Sequence, residues 1–378
     1  MSLSRRALLA TTPLLLAARP VPAADPVATA PAVAASATAA AGPVRLIANE
    51  NPYGASERAL EAVRAALAEA WQYPVGREAT LKRLIAEREG VAPEQVMIGD
   101  GSGEILRVAA LAWARTGGGV VAARPTFDFL PSYARLLGAP VTEVPLDAAM
   151  RHDLPAMAAA VSASTALVYV CNPNNPTGTL VPGREIRPFV SEVSRRAPVL
   201  VDEAYLDLWD DAGEHTCADR VRAGEPVIVT RTFSKLHGLA GLRIGYAIAP
   251  VEIIRRLQPL RMSLLNTAGI AAATASYQDL DYQALSRRRL KEALAVTRAA
   301  LADVGWPATD TRGNFVFFDT GRPVGEFAAA MRAEGFLVGR PFAPYETWCR
   351  VSIGTLPQMK GFAAALRRYA ARRAEAAA

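Results

Sequence analysis

The stretch PVIVTRTFSKLHGLAGLRIGYAIA (residues 226–249) places a lysine and a glycine-rich segment between two apolar, β-branched runs. Residues 226–230 and 244–249 have the length and composition of buried strands, which are short, apolar and rich in β-branched side chains. Lys235 therefore follows the end of a predicted strand. Open α/β sheets bind ligands at the carboxyl ends of their strands, so this position favours a functional lysine.

Lys235 differs from the other lysines of the chain. The sequence contains four lysines, and the remaining three, Lys82, Lys291 and Lys360, lie in amphipathic patterns typical of exposed helix faces, Lys82 and Lys291 beside charged residues. Arginine supplies nearly all the other positive charge, and arginine does not lose its proton in proteins. We interpret Lys235 as an amine that must be able to deprotonate; a solvated surface lysine is the alternative.

Apolar runs alternate with amphipathic helical runs from residue 44 onward, which predicts an α/β fold with a mainly parallel sheet flanked by helices. Further strands are predicted at residues 95–98, 119–122, 167–171 and 199–201. Helices are predicted at residues 57–70, 79–89, 104–114, 129–137 and 183–196. A long helix from about residue 280, a strand pair near 314–319 and a final helix near 357–373 predict a second, smaller C-terminal α+β domain.

The N-terminal 42 residues form a separate segment in this reading. Arg5 and Arg6 precede a short apolar run, which indicates a twin-arginine-type signal peptide, and residues 24–42 read as an Ala/Pro-rich linker. We therefore expect a periplasmic or secreted protein, with a cytoplasmic location if the start of the chain is misassigned. The apolar run is too short for a transmembrane helix, so no stable membrane anchor is expected.

Composition excludes several other classes of protein. The net charge is +6, but the arginines are scattered and no nucleic-acid-binding motif is present, so no nucleic-acid partner is expected. The three cysteines and three histidines are dispersed, which argues against a disulfide framework and against a metal site.

Three motifs besides that of Lys235 follow predicted strands. GDGSGE (residues 99–104) opens a helix whose N–H groups can bind a phosphate, although a tight structural turn fits it equally. CNPNNPTG (171–178) presents Asn175 from a turn that could also be purely structural. VDEAY (201–205) ends a strand with Asp202 and Tyr205, and a carboxylate there needs a positive partner such as a pyridinium nitrogen. Ser234 together with Arg243 suits a phosphate ester.

These motifs, in this order, resemble the fold type I pyridoxal-phosphate (PLP) enzymes of the aspartate aminotransferase superfamily, and most closely the histidinol-phosphate aminotransferase family. The resemblance spans nearly all the chain after residue 43 and includes NENPYG (49–54), TFSK (232–235), GLAGLRIGY (238–246) and CRVSIG (349–354). It implies a PLP-dependent aminotransferase that moves an amino group between an amino acid or amine donor and a keto acid or aldehyde. It also implies a homodimer with shared active sites.

The resemblance implies a domain division and a role for each matching residue. Residues 43–270 would form the large PLP-binding domain, with an N-terminal arm (43–56) near the active site, and residues 271–378 the small domain. Lys235 would bind the cofactor covalently and then move the substrate's proton as a general base. Asp202 would pair with the pyridinium nitrogen. The remaining residues implied to contact the cofactor ring are Asn175 and Tyr205, at the phenolic oxygen, and Phe127, stacked on the ring face.

Further residues are implied for the phosphate and the substrate. The cofactor phosphate would be bound by Ser102, Gly103, Ser234, Arg243 and, from the other subunit, Tyr73. The substrate would be bound by Tyr53, Arg340 and Arg350, of which Arg350 suits a carboxylate through a bidentate contact. Three of these residues also fit ordinary structural roles: Phe127 as a core aromatic, Arg340 as a surface charge and Tyr73 as a packing residue in a turn.

Departures from the family pattern concern the substrate more than the cofactor. The family usually has tyrosine where Phe127 stands and an acidic or polar residue where Gly103 stands, and the segment between Arg340 and Arg350 looks short. We therefore expect a reshaped substrate pocket. A PLP-dependent lyase, decarboxylase or cyclase on the same scaffold is the main alternative function, and a non-catalytic PLP-binding protein is another.

Overall fold

The structure, a computed structural model, describes residues 42–115 and 117–375. Its strands are β1 (Val44–Arg45), β2 (Val96–Gly99), β3 (Gly119–Arg124), β4 (Val141–Pro145), β5 (Thr165–Cys171), β6 (Val199–Asp202), β7 (Val227–Thr232), β8 (Gly245–Ile248), β9 (Phe315–Asp319), β10 (Phe336–Leu337) and β11 (Trp348–Ser352). Its helices are α1 (Glu57–Leu67), α2 (Ala79–Glu89), α3 (Ser102–Ala114), α4 (Phe129–Leu136), α5 (Leu154–Ala160), α6 (Gly183–Ser194), α7 (Ala212–His215), α8 (Ala218–Arg222), α9 (Val251–Leu257), α10 (Thr267–Tyr277), α11 (Leu280–Asp303), α12 (Val324–Ala333) and α13 (Leu356–Glu375). The predicted N-terminal export signal lies outside these described residues.

Seven strands form the central sheet, in the order β2-β8-β7-β6-β5-β3-β4. The strands from β7 to β4 pair in parallel, and only β8 runs antiparallel to its two neighbours, β7 and β2. The predicted α/β class with a mainly parallel sheet is confirmed. Parallel pairing brings the carboxyl ends of β5, β6 and β7 to one edge, so the segments that follow them lie side by side.

The strands carry apolar residues on both faces, and each face of the sheet is buried in its own hydrophobic core. In β5, Val168 and Val170 belong to one hydrophobic core, while Leu167 and Tyr169, one position out of phase, belong to another. Helices cover both faces of a parallel sheet, and this explains why the strands read as continuous apolar runs in the sequence.

The C-terminal part has its own hydrophobic core. Helices α11 and α13 pack on the antiparallel pair β9–β11, and β1 of the N-terminal arm pairs in parallel with β10. The predicted strand near residue 315 is present, but its partner β11 and the edge strand β4 were not predicted. Strand β4 has the sequence VTEVP, whose central Thr142 and Glu143 are tolerated because the strand lies at the sheet edge.

From Pro43 onward the chain forms one compact unit. Residue 270, the predicted domain boundary, lies within α10, and Ile270 and Ala273 pack in the core of the central sheet. The division into a large and a small domain therefore stays a prediction. Within the described ranges, no helix combines the length and apolar character needed to cross a membrane.

Candidate active site

Lys235 lies three residues after β7, at the carboxyl edge of the sheet. Its Nζ donates a hydrogen bond to the main-chain oxygen of Asn49 at 2.9 Å and lies 5.4 Å from the centre of the Tyr205 ring. Burial lowers the pKa of the Lys235 amine to about 8, and the nearby positive charge of Arg350 contributes in the same direction. The amine is therefore much closer to deprotonation at neutral pH than an ordinary lysine.

Asp202 ends β6 and is almost completely buried. Its Oδ1 accepts a hydrogen bond from the Thr230 hydroxyl at 3.0 Å, and its Oδ2 lies 3.5 Å from the Tyr169 hydroxyl. Burial raises the pKa of Asp202 to about 6, although the Thr230 hydroxyl favours the charged carboxylate. Among the described residues no cation lies within ion-pair distance of Asp202, and the positive charge of Lys235 acts on it only from farther away. A bound cationic group could therefore still pair with this carboxylate.

Tyr205, Asn175 and Arg350 form a hydrogen-bonded chain beside Lys235. The Tyr205 oxygen accepts from the Asn175 side-chain amide at 3.1 Å, and the Asn175 side-chain oxygen accepts from Arg350 at 2.6 Å. A second Arg350 nitrogen donates to the Ile47 main-chain oxygen at 2.8 Å. Burial raises the pKa of Tyr205, so its phenol stays protonated. The structure thus brings together residues from four separate sequence motifs.

The phosphate-binding residues predicted from the sequence lie at the same end of three adjacent strands. Ser102 and Gly103 begin α3, whose free N–H groups favour an anion. Gly245 pairs with both Gly99 and Thr232, and this register brings Ser234 and Arg243 toward the start of α3.

Two glycines allow this close approach. A Cβ on Gly101, which has φ +75°, would lie 2.3 Å from the Arg243 guanidinium, and a Cβ on Gly245 would lie 2.3 Å from the Ser102 nitrogen. The predicted phosphate site therefore combines a helix N-terminus, hydroxyl groups and a guanidinium, all of which can bind one anionic group.

Phe127, Arg340 and Arg350 line one cleft together with Asn175 and Phe342. Phe127 stacks on Phe129 with a centroid distance of 4.5 Å and an interplanar angle of 26°. The guanidinium groups of Arg340 and Arg350 lie 4.6 and 5.0 Å from the centre of the Phe342 ring. Arg340 is exposed, whereas Arg350 is half-buried, so the cleft runs from the surface to the site.

The other two tyrosines predicted from the sequence, Tyr53 and Tyr73, differ in position. Tyr53 lines a small cavity with Lys235, and its hydroxyl accepts from the Leu356 main-chain nitrogen at 3.2 Å. Arg289 lies 4.5 Å above the Tyr53 ring. Tyr73 is 80% exposed and does not join the cluster that the other described site residues form within one chain.

Several residues around the site were missed by sequence reasoning. They are Asn49, Tyr169, Thr230, Asn314 and Ser352. Tyr169 and Thr230 interrupt apolar strands on both sides of Asp202, and a polar side chain in a buried strand is a signal that could have identified them. Asn49 lies in the quoted NENPYG motif, but its contacts with Tyr205 and Lys235 join segments far apart in the sequence.

A mainly parallel sheet, a lysine of low pKa and a buried carboxylate without a cation define a site suited to an aldehyde cofactor with a basic ring and an anionic arm. Residues 41–366 match the family model for aminotransferase class I and II, and the chain belongs to this family. The protein is a PLP-dependent aminotransferase. Within the described residues, no cluster of histidine, cysteine or carboxylate side chains could bind a metal ion.

Known proteins similar to this chain carry related names. Histidinol-phosphate aminotransferase 2 of Pseudomonas fluorescens is 37% identical over 87% of this chain and 89% of its own length. A crystal structure of a putative histidinol-phosphate aminotransferase from Erwinia carotovora atroseptica has a TM-score of 0.84, with 31% identity over 88% of this chain and 97% of that chain. The histidinol-phosphate aminotransferase of Sinorhizobium meliloti, solved with pyridoxal 5'-phosphate, has a TM-score of 0.80, with 27% identity over 87% and 91% of the two chains.

The residues present fit the cofactor on independent grounds. Asp202 lacks a cation, the Lys235 amine has a lowered pKa, and the start of α3 with Arg243 favours an anion. These three features correspond to the ring nitrogen, the aldehyde and the phosphate of PLP. The roles assigned to the individual residues stay predictions.

Proposed function

We propose that the protein transfers an amino group between an anionic amino donor of the histidinol-phosphate type and a keto acid, and that Arg350 binds the anionic group of each substrate. The position of Arg350 is the observation that supports this most. Its guanidinium contacts Asn175 beside Lys235, and its Nε is buried without a hydrogen-bond partner among the described residues. A buried, unpaired N–H group favours an added acceptor such as a carboxylate or phosphate oxygen.

Each remaining residue has a role in this proposal. When bound, PLP supplies an electron-withdrawing ring that makes the α-proton of the amino donor acidic. Lys235 binds the cofactor's aldehyde carbon through its neutral amine and, once released by the substrate, moves the α-proton as a general base. Asp202 keeps the ring nitrogen protonated, and Tyr205 and Asn175 contact the phenolic oxygen. The cofactor phosphate is bound by Ser102, Gly103, Ser234 and Arg243.

The cleft gives the proposal a specificity element. Arg340 lies farther out than Arg350, and both guanidinium groups face Phe342, with Phe127 on the same wall. A donor with an anionic group and a flat ring would place the anion on an arginine and the ring on an aromatic side chain. The names of the similar proteins make histidinol phosphate the first candidate.

A half-reaction assay tests the substrate proposal. The holoenzyme is mixed with histidinol phosphate, histidinol, glutamate or a simple alkylamine without an anionic group, and the loss of the cofactor's near-visible absorbance band is followed. We expect fast conversion with histidinol phosphate and glutamate, and conversion at least about 10²-fold slower with the two amines that lack an anionic group. Equal rates with histidinol and histidinol phosphate would contradict the anion requirement, and release of carbon dioxide would instead favour a decarboxylase.

The homodimer with shared sites is part of the same proposal. Four apolar side chains along one segment are strongly exposed in the single chain: Leu67, Trp71, Tyr73 and Val75, at 60%, 82%, 80% and 85%. An exposed apolar surface of this kind is typical of an interface with another chain. Tyr73 would then reach the cofactor phosphate of the partner subunit.

Mixing two inactive variants tests the shared site. In heterodimers of Lys235→Ala and Tyr73→Ala, one site contains both changes and the other contains neither. We expect activity to reappear on mixing, to about one quarter of wild type if subunits exchange at random. If Tyr73 acted within its own chain, each site would keep one change, and mixing would restore nothing.

Export of the folded protein is proposed from Arg5 and Arg6, which lie outside the described residues. The family match begins at residue 41, so nearly all of the predicted signal and linker precedes the part of the chain that matches the enzyme family. We expect a variant with both arginines replaced by lysine to accumulate in the cytoplasm, measured by cell fractionation. Unchanged export of this variant would contradict the twin-arginine mechanism.

A further inference from the structure

Asn49 has an unusual backbone conformation beside the site. Its φ is 53°, in the left-handed region, and its side chain is buried. Asparagine tolerates this region better than most residues, and such conformations persist where the surrounding structure holds them in place. Asn314 does so here, since its amide donates to the main-chain oxygens of Asn49 at 3.0 Å and of Glu50 at 3.1 Å.

The arm that contains Asn49 is fixed on the segment after Lys235. The Asn51 amide donates to the Leu236 main-chain oxygen at 3.0 Å and to the Ser286 hydroxyl at 2.8 Å. Gly54 approaches Gly238 so closely that a Cβ on Gly238 would lie 1.9 Å from the Gly54 oxygen. The main-chain contact between Gly54 and Gly238 therefore sets the position of Asn49 relative to Lys235, and the Asn51 side chain adds two hydrogen bonds to it.

Tyr205 accepts hydrogen bonds from two asparagine amides. The Nδ2 atoms of Asn49 and Asn175 each lie 3.1 Å from the Tyr205 oxygen. The orientation of Asn175 follows from Arg350, which can only donate and therefore contacts the Asn175 oxygen.

Ser352 fixes the orientation of Asn49 in a similar way. The Ser352 hydroxyl accepts from the Asn49 main-chain nitrogen at 2.8 Å, so its hydrogen is free to donate to the Asn49 Oδ1 at 2.9 Å. With Oδ1 used in this contact, the NH2 group of Asn49 must face Tyr205.

The two amides occupy both acceptor positions of the Tyr205 hydroxyl. A hydroxyl has one hydrogen to donate and two lone pairs to accept with, and both lone pairs of Tyr205 are occupied. Among the described residues no acceptor for the Tyr205 hydrogen is present. The hydroxyl can therefore only donate, to a group outside the chain.

We propose that Asn49 is a positioning residue that makes Tyr205 an obligate hydrogen-bond donor to the phenolic oxygen of the cofactor and holds the Lys235 amine beside it. Its side-chain amide occupies the second acceptor position of Tyr205, while its main-chain oxygen accepts from Lys235 Nζ at 2.9 Å. This inference rests on the proposed role of Tyr205. One residue thus orients both the donor at the ring oxygen and the amine that bonds to the aldehyde carbon.

Asn49→Gly isolates the side-chain part of this role. Glycine adopts the left-handed conformation without strain, so the main-chain oxygen for Lys235 is kept and only the amide is lost. The measurement is the pKa of the covalent link between Lys235 and the cofactor, read from the pH dependence of the holoenzyme's near-visible absorbance. A weaker donor at the phenolic oxygen leaves more negative charge there, which stabilises the protonated link. We expect this pKa to rise by about 0.4–1 unit, the equivalent of one hydrogen bond.

Two further variants and a control complete the test. Tyr205→Phe should raise the same pKa by at least as much, and adding Asn49→Gly to Tyr205→Phe should change nothing more, because the two residues act in series. Ser352→Ala, which removes the hydroxyl that orients Asn49, should give a smaller rise. Asn51→Gly removes an amide from the same arm that contacts neither Tyr205 nor Lys235, and it should leave this pKa unchanged.

The outcomes separate this inference from the function on which it rests. A rise in Asn49→Gly and Ser352→Ala but not in Asn51→Gly supports the positioning role. An unchanged pKa in Asn49→Gly, with a raised pKa in Tyr205→Phe, overturns the role of Asn49 alone. An unchanged pKa in Tyr205→Phe overturns the proposed role of Tyr205 itself, and the inference with it. An Asn49→Gly protein that binds no cofactor while Asn51→Gly does would also overturn it, because the left-handed backbone is kept.

Discussion

Asp202 and Glu203 are neighbours in the sequence, both are almost completely buried, and burial raises the pKa of each to about 6. Their partners differ completely. Asp202 hydrogen-bonds only with hydroxyl and main-chain groups, among them the Thr230 hydroxyl, and no cation of the described chain lies within ion-pair distance of it. Glu203 accepts from the Arg231 guanidinium, the Thr216 hydroxyl and the Cys217 main-chain nitrogen.

Side chains alternate between the two faces of a strand, and this alternation explains why Asp202 and Glu203 have different partners. Thr230 and Arg231 are consecutive in β7, so their side chains point to opposite faces of the sheet, as do those of Asp202 and Glu203 beside them. On one face the Arg231 guanidinium contacts Glu203 at 3.0 Å, Glu89 at 2.9 Å and Asp207 at 3.2 Å. On that face each of the three carboxylates pairs directly with the one guanidinium, whereas on the other face no cation pairs directly with Asp202, so a ligand can supply one. We call them the closed face and the ligand face.

The contrast shows that burial and a raised pKa do not identify a functional carboxylate by themselves. Both acidic side chains have these properties, and only the absence of a partner distinguishes Asp202. A buried charge without a partner destabilises the folded protein, so its presence indicates a ligand. Substitutions on the ligand face should therefore lower activity and preserve the fold. Substitutions on the closed face should lower the stability of the fold and leave kcat nearly unchanged.

The largest difference is expected between Lys235→Ala and Arg231→Met. Lys235→Ala removes the covalent anchor and general base, so transamination should fall by more than about 10³-fold while the melting temperature of the cofactor-free protein stays close to wild type. Arg231→Met leaves Glu89, Glu203 and Asp207 without their cation, which should lower the free energy of unfolding by about 3–5 kcal/mol. Steady-state assays and denaturant titrations measure the two effects.

Lys291→Ala is the matched control for the loss of a lysine. Lys291 pairs with Asp210 on the surface, and its removal should change neither activity nor stability appreciably. An active Lys235→Ala enzyme would contradict the assignment of Lys235. A stable Arg231→Met protein would show that the closed face does not depend on its cation.

Asp202→Asn and Glu203→Gln compare the two carboxylates directly. Asp202→Asn removes the counter-charge of the ring nitrogen, so kcat should fall about 10²-fold. The hydroxyls of Thr230 and Tyr169 can reverse their hydrogen bonds toward an amide, and the fold should persist. Because burial raises the pKa of Asp202 from 3.8 to about 6, the cofactor-free variant should be more stable than wild type by about 2–3 kcal/mol above pH 6. This advantage should vanish as the pH falls from 6 toward 4, where wild-type Asp202 is protonated in the folded state.

Glu203→Gln should have the opposite profile. The glutamate oxygens accept from Arg231 and from the Cys217 N–H, neither of which can accept, so the NH2 group of glutamine would face a donor. We expect a loss of about 1–3 kcal/mol in the free energy of unfolding and a kcat within about twofold of wild type. Equal losses of kcat in the two variants would remove the distinction between the faces.

The pH dependence of cofactor binding tests the ligand face without a substitution. With a pKa of about 8, the neutral fraction of the Lys235 amine rises about tenfold between pH 7 and pH 9 and then levels off. The rate at which the cofactor-free enzyme binds PLP covalently, followed by absorbance, should show the same rise and plateau. An ordinary lysine with a pKa near 10.5 would give a rise of about 10²-fold over this range with no plateau. A rate that still climbs steeply above pH 9 would contradict the lowered pKa.

The sequence predicted the strands of the central sheet well because each is a short, buried apolar run followed by a polar motif. Lys235, Asp202, Tyr205 and Asn175 were predicted as site residues for the same reason, since each ends or follows such a strand. Edge strand β4 and strand β11 were less visible, because polar or charged residues interrupt their apolar pattern. The contacts of Asn49 with Tyr205, Lys235 and Ser352 span 156 to 303 positions and depend on one left-handed residue, so no local pattern could predict them.

The smallest difference is expected between two threonines that occupy equivalent places on the two faces. Thr230 donates to Asp202 at 3.0 Å, and Thr216 donates to Glu203 at 2.8 Å. Thr230→Val removes one hydrogen bond that favours the charged form of Asp202, so its pKa should rise further and kcat should fall about threefold to tenfold. The affinity of the cofactor-free enzyme for PLP should fall most near pH 6 and less at pH 8, where Asp202 is ionised in both cofactor-free proteins. Thr216→Val should leave kcat unchanged and lower the free energy of unfolding by about 1 kcal/mol, because Arg231 loses an acceptor. A pH-independent loss of PLP affinity in Thr230→Val would mean that the hydroxyl acts through packing and not through the charge of Asp202.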